Sequence, residues 1–263
     1  MASTASAPTL RQLTLPSSFL LVAAGGAWVA VIALGRGMSG MTGTMGLSFA
    51  GFVVVWALMM VAMMLPTVAP FAALYTRTLT GHRARRIGAL AGGYLLVWTL
   101  AAVPAYALSW VAGELAGSRP TAARVAAVGA FAACGVYQLT PIKDRCLARC
   151  RSPLGFLFTY AGRPGRVRDL RVGVSHGGFC LACCWALMVV LIAVGLMNPL
   201  AMVVLSAVVL AEKTWRWGRP LSLAVGVLAL VLAVGVAFRP GLAPGLHRAP
   251  DMGAGRMTQQ PVR

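Results

Sequence analysis

Seven apolar stretches mark the chain, at about 18–35, 47–75, 88–112, 121–140, 174–197, 199–211 and 221–238, each set off by short polar or basic segments. Most reach the ~20 apolar residues that a helix needs to cross the hydrocarbon core of a bilayer. The pattern predicts an all-α, polytopic membrane bundle of six to seven transmembrane helices. The second stretch is long, and Pro66 is expected to kink it. The sixth is short, between Asn198-Pro199 and Glu212-Lys213. It reads as a tilted helix or as half of a re-entrant hairpin. No A-x-A-like cleavage site closes the first stretch, so that stretch is read as a retained helix. The expected organisation is a disordered tail at 1–16, one transmembrane domain at 17–239 and a disordered tail at 240–263.

Composition sharpens this reading. The chain is 59% hydrophobic and 11% charged, with a mean hydropathy of +0.80, whereas soluble domains carry about 25% charged residues. The net charge of +18 would suggest nucleic acid in a soluble protein. Here the basic residues stand between apolar runs without aromatic interleaving, so no nucleic-acid partner is expected. Sixteen Lys and Arg fall in the N-terminal tail and the segments 76–87, 141–173 and 212–220, against seven on the alternate side. The positive-inside rule then makes the first group cytoplasmic. With seven spans in a cell (inner) membrane, the N-terminus is inside and the C-terminus outside; with six, the C-terminus moves inside. The loop 141–173 is the most basic, with Lys143, Arg145, Arg149, Arg151, Arg163, Arg166, Arg168 and Arg171. It is suited to anionic headgroups and to offsetting thiolate charge nearby. Gly88-x-x-x-Gly92 suits close helix packing.

Candidate chemistry lies in the cysteines. Of six, five fall in two clusters, Cys146-x3-Cys150 and Cys180-x2-Cys183-Cys184, with Cys134 apart. Neighbours three and four apart share a helix face. His176, Cys180, Cys183/Cys184 and Met188 therefore form one stripe, and Cys146 and Cys150 another. Both clusters flank the basic loop and are able to meet. Three readings stay open: free cysteines packing as small hydrophobes, a thiol–disulfide pair through the Cys180-x-x-Cys183 motif, and a metal site. Thiolates and thioethers select Cu(I) or Zn(II), and few carboxylates are present for harder ions. Zn(II) takes four ligands, for instance Cys146, Cys150, Cys180 and Cys184. Cu(I) needs two or three thiolates.

Met59, Met60, Met63 and Met64 form a second group, readable as flexible core filler or, with Met188, as a thioether path for Cu(I). Glu212, at the end of an apolar stretch, is a functional candidate or a locally paired helix end. The sequence carries no phosphate-binding glycine loop, no nucleophile–base arrangement and no paired carboxylates, so an enzyme is not expected.

In chain order, the segments are Met59-Met60-x2-Met63-Met64-Leu65-Pro66, Tyr137-Gln138-Leu139-Thr140-Pro141-x-Lys143-x2-Cys146-x3-Cys150-Arg151-Ser152-Pro153, Cys180-x2-Cys183-Cys184-Trp185-Ala186-Leu187-Met188, Met197-Asn198 and Glu212-Lys213. Together they resemble the bacterial and archaeal family of predicted metal-binding integral membrane proteins, domain of unknown function 2182, over roughly residues 47–220. The resemblance implies a multi-helix membrane protein with a metal site but no known reaction. Ala182 stands where many members have glycine, which favours a regular helix there. The expectation is a membrane protein that transports, delivers or sequesters a soft ion, copper before zinc. Its ligands would be drawn from Cys146, Cys150, Cys180, Cys183, Cys184 and His176, and a soluble metal chaperone is a candidate partner. The alternatives are a membrane thiol–disulfide oxidoreductase using Cys180 and Cys183, with Cys146 or Cys150 resolving, and a scaffold holding structural Zn.

Overall fold

The computed structural model describes residues 15–38, 41–77, 83–152 and 167–247. Among the described residues nine α-helices follow one another: α1 (Leu15–Met38), α2 (Phe49–Arg77), α3 (Arg83–Leu100), α4 (Ala102–Ser118), α5 (Pro120–Leu139), α6 (Pro141–Arg151), α7 (Arg168–Val194), α8 (Pro199–Thr214) and α9 (Gly218–Phe238). Among the described residues, six helical segments are long and apolar enough to cross a membrane, α3 and α4 counting as one. This is the architecture of a multi-pass membrane protein. Large apolar side chains such as Phe19, Val22, Val231 and Phe238 point outward, as lipid-facing positions do.

The helix boundaries follow local chemistry. Proline lacks an N–H and is tolerated in a first turn, where Pro120, Pro141 and Pro199 stand. Thr140 caps α6 by accepting from the Lys143 backbone N–H at 3.3 Å. Asn198 caps α8 by accepting from the Ala201 N–H at 3.1 Å. Gly195, at φ +107°, closes α7 in a conformation open to glycine. The apolar stretch at 88–112 divides at Ala101 because Pro104 cannot donate to the Leu100 carbonyl one turn back. By contrast, α2 runs as one helix through Pro66 and Pro70. Side chains serve neighbouring carbonyls there: Thr67 Oγ1 donates to Met64 O at 2.8 Å and Ser206 Oγ to Met63 O at 3.4 Å.

Two parallel helices, α3 and α7, meet backbone to backbone. A Cβ on Gly173 would lie 2.0 Å from Leu90 O, and one on Gly93 would lie 2.3 Å from Leu170 O. The expected Gly88/Gly92 pair does not do this packing: nothing lies within 4 Å of a Cβ at either position. The contact face is one residue away, at Gly93.

The sixth apolar stretch becomes α8, at 16 residues the shortest of the apolar helices and not among the six segments long enough to cross. It nevertheless carries the chain back along α7. Its start adjoins the Gly195 turn, which abuts Gly245 after α9. Its end reaches α6 and the middle of α7, where Glu212 meets Lys143 and Lys213 meets Cys180. The end of α9 therefore lies at the same end of the bundle as the 195–198 turn. Beyond α9 the chain makes two short 3-10 turns, Pro240–Leu242 and Pro244–Leu246, and buries Ala243 and Leu246. The residues expected to form tails at 1–14 and 248–263, and Arg163 and Arg166 of the basic loop, lie outside the described residues.

Candidate metal centre

The site is built where α5 stops. Thr140-Pro141 turns the chain from α5 into α6 at the depth of Cys183, halfway along α7. The Tyr137 hydroxyl donates to Ala182 O, which fixes that depth. On α7 the i, i+4, i+7/i+8 spacing puts His176, Cys180, Cys183 and Cys184 on the inward stripe, and all four are buried. From α6, Cys150 is turned to the same interior.

The sulfurs form a short chain. Cys150 Sγ lies 3.9 Å from Cys183 Sγ, and Cys183 Sγ lies 3.3 Å from Cys184 Sγ. The two sequence clusters therefore meet, through Cys150. Cys146 sits one helical turn earlier on α6 and is only half-buried. Cys180 continues the chain through a side-chain contact with Cys184 and also faces groups of other helices. Its Sγ accepts from Lys213 Nζ at 2.8 Å and lies 3.0 Å from the Tyr94 hydroxyl. Thr67 Oγ1 stands 3.2 Å from that hydroxyl and 3.4 Å from Lys213 Nζ. His176 lies flat against Phe71, ring centroids 4.4 Å apart and 13° from parallel, with the Tyr94 ring at 5.9 Å. Among the described residues, no three His, Cys, Asp or Glu side chains converge as a ready-made metal site. Of the six expected ligands, Cys150, Cys183, Cys184 and Cys180 stand in one run of contacts, with Cys180 also against an ammonium and a phenol, His176 stacked on Phe71 and Cys146 one turn away on α6.

Charge at the site comes from two buried lysines. Lys143 and Glu212 are an ion pair at 2.7 Å, with side chains 0% and 1% exposed. Lys143 Nζ also donates to Cys183 O at 2.7 Å. Glu212 accepts from Gln138 Nε2 at 3.1 Å, and Ser222 Oγ bonds Gln138 Oε1 at 3.2 Å. Burial works against the Lys143 ammonium, but the charges of Cys184, Glu212 and Cys183 outweigh it and raise its pKa above the usual lysine value. Glu212 is thus a paired group, but with Lys143 of another helix and not with a local neighbour at its own helix end. The arginines expected to offset thiolate charge face elsewhere. Arg149 lies over the Phe179 ring at 5.6 Å, and Arg151 donates to Trp215 O at 2.7 Å.

The methionines divide. Met59, Met60, Met63 and Met64 are wholly buried in α2, and Met64 O accepts from Thr67 beside the Cys180 group. Met188 lines an apolar groove of about 610 Å³ between the α3–α4 break and α7, with Trp56, Trp98 and Trp185. Cys134 is buried in α5 apart from the sulfur chain, as expected of a cysteine that only packs. Sequence reasoning missed Lys213, Tyr94 and Thr67 as neighbours of a thiol. The available signal was a lysine at the end of an apolar stretch, where an ionisable group is costly and finds a partner.

A multi-pass helical bundle with a buried sulfur chain beside a basic helix is the class of protein that the fold and the site define. Residues 53–236 match the PpoB2 family, described as copper chaperone, and the chain belongs to that family. No curated protein and no solved structure matches it.

Proposed function

We propose that this chain carries Cu(I) as cargo within the membrane, held first between the thiolates of Cys150 and Cys183. The 3.9 Å separation of these two sulfurs carries the reading. Two metal–sulfur bonds of about 2.3 Å bridge such a gap in a bent two-coordinate arrangement, and Cys184 stands at hand as a third ligand. A soft monovalent ion accepts two or three thiolates, whereas structural Zn(II) asks for four ligands. The family description as copper chaperone supports copper over zinc. The role is movement of an ion, with no substrate transformed.

Cys146, half-buried on basic α6, is the thiol through which the ion arrives or leaves. With α6 and the basic ends of α3 and α7 facing the cytoplasm of a cell membrane, a soluble metal chaperone docks there, beside anionic headgroups. Met59, Met60, Met63 and Met64 supply a dry thioether lining behind the thiols.

The test is elemental analysis of the purified protein after anaerobic loading with Cu(I). About one copper per chain is expected. Cys150→Ser and Cys183→Ser should lose it, and Cys134→Ser should retain it. A metal-free protein in which Cys180 and Cys183 cycle between dithiol and disulfide would replace this reading with the oxidoreductase one. Copper retained by both serine variants would remove the two-helix site.

A further inference from the structure

α6 brings Cys150 to the sulfur chain, yet little apolar packing holds it there. Of its 11 residues, Lys143, Leu147 and Cys150 are buried, and Leu147 is the one large apolar side chain among them. Ile142 is 58% exposed. A helix this short is marginal without packing, and an element with few buried apolar contacts opens before the rest of its fold. Polar contacts fasten it instead. At its start, Lys143 Nζ donates to Glu212 Oε2 and to Cys183 O, both at 2.7 Å and away from water. At its far end, directly after Cys150, Arg151 Nη2 donates to Trp215 O at 2.7 Å on the protein surface. Trp215 caps α8, and its carbonyl also accepts from the Gly218 N–H at 3.0 Å. The guanidinium is seated in this turn: a Cβ on Gly218 would lie 2.8 Å from Arg151 Nη1. Eight residues, about 12 Å of helix, separate the two fastenings. Before α6, Thr140 is extended, at φ −79° and ψ 149°, and Pro141 follows. Proline disfavours a helical residue before it, so α5 and α6 meet at a bend of the kind on which an element turns.

We propose that α6 is the gate of the copper site and that Arg151 is the residue that positions Cys150 against Cys183. The helix turns about Thr140-Pro141, with the buried Lys143–Glu212 pair as its pivot and the Arg151–Trp215 contact as its latch. The inference rests on the Cu(I) reading above and deepens it. With the latch made, Cys150 Sγ stays 3.9 Å from Cys183 Sγ, close enough for the two to share an ion. With the latch broken, Cys150 and Cys146 move outward together, and an ion left on α7 is open to an incoming thiol. The pivot stays made because neither of its charges has water to turn to. The latch breaks first because it lies at the surface, where water competes for both of its groups. Arg149, stacked over the Phe179 ring at 5.6 Å, adds a second contact to α7 near the same end.

The full chain in detergent, without metal, is labelled with maleimide, and the initial rate at each cysteine is read by mass spectrometry. Arg151→Met should raise the Cys150 rate about tenfold, the worth of one charge-assisted hydrogen bond, and leave Cys134 and Cys180 as in the wild type. Arg151→Lys still donates and should stay near the wild-type rate. Arg219→Gln removes the same charge from the surface ion pair with Asp144 beside the pivot and should leave Cys150 slow. An unchanged Cys150 rate in Arg151→Met overturns the proposal. So does a rise shared by Cys134 and Cys180, which marks a loosened bundle, or an equal rise in Arg219→Gln, which marks bulk charge. Hydrogen exchange on the wild type needs no variant: amides of α6 should exchange ahead of those of α5 and α7, and equal protection overturns the gate. Loading with Cu(I) should then slow exchange in α6, since the ion joins it to α7. If α6 opens as described and Cu(I) leaves its exchange unchanged, the copper reading fails and the gate stands.

Discussion

Glu212→Gln tests the buried charge pair that braces the thiol site. Glutamine keeps the shape of the side chain and its contact with Gln138, but it removes the negative charge 2.7 Å from Lys143 Nζ. Lys143 is 0% exposed, so water cannot replace the lost partner. Its remaining acceptor is the Cys183 carbonyl, a neutral group that already belongs to the α7 hydrogen-bond ladder. Breaking one side of a fully buried pair costs about 3–5 kcal/mol. At roughly 2–4 °C per kcal/mol for a domain of this size, Tm should fall by about 6–20 °C. A thermal melt followed by a thiol-reactive fluorophore reads this directly, since Cys150, Cys180, Cys183 and Cys184 are buried until the bundle opens. Replacing both partners together, as Lys143→Met with Glu212→Gln, leaves no orphaned charge and should recover at least half of the loss. A Glu212→Gln variant melting within 2 °C of wild type would refute the reasoning. So would a double variant whose losses simply add, because the two side chains would then not be acting on each other.

Three further outcomes follow from the same geometry. Gly173→Ala should strongly reduce the yield of folded protein, because its Cβ would meet the Leu90 carbonyl at 2.0 Å and overpacking against backbone costs at least about 1–3 kcal/mol; Gly88→Ala, which meets nothing within 4 Å, should match wild type in size-exclusion recovery. Maleimide labelling of native membranes, read by mass spectrometry, should modify Cys146 well before Cys180, Cys183 or Cys184, since only Cys146 is half-exposed; equal rates would place the sulfur chain in open contact with water. Cu(I) buffered at a thousandfold over its dissociation constant should stabilise the wild type by about 4 kcal/mol and leave Cys183→Ser unmoved in the same melt.

Much of the architecture was legible because a bilayer imposes a length on every apolar helix. The Asn198-Pro199 pair marked the right place for the start of α8. What escaped were features that depend on which faces meet. Gly88-x-x-x-Gly92 satisfies the packing motif in sequence, yet α3 is rotated so that Gly93 meets α7. The cysteine clusters were readable as neighbours because both flank one loop, and Cys150 does reach Cys183. Their division was not readable. Spacing along α7 places Cys180 on the same stripe as Cys183, but a stripe spanning a full turn touches more than one neighbouring helix. Cys183 meets α6, whereas Cys180, still touching Cys184, also meets Tyr94 of α3 and Lys213 of α8. Charge counting had the same limit. A cluster of arginines beside thiols on paper suggests compensation, but a guanidinium at the bundle surface finds water, an aromatic face or a carbonyl more cheaply than a dry interior. The cations that reach the sulfurs are lysines, one of them admitted to the interior by a glutamate on a third helix. Lys213 has no such glutamate. It rests against Cys180 Sγ and Thr67 Oγ1 instead, so its charge reaches the sulfurs with no buried carboxylate between.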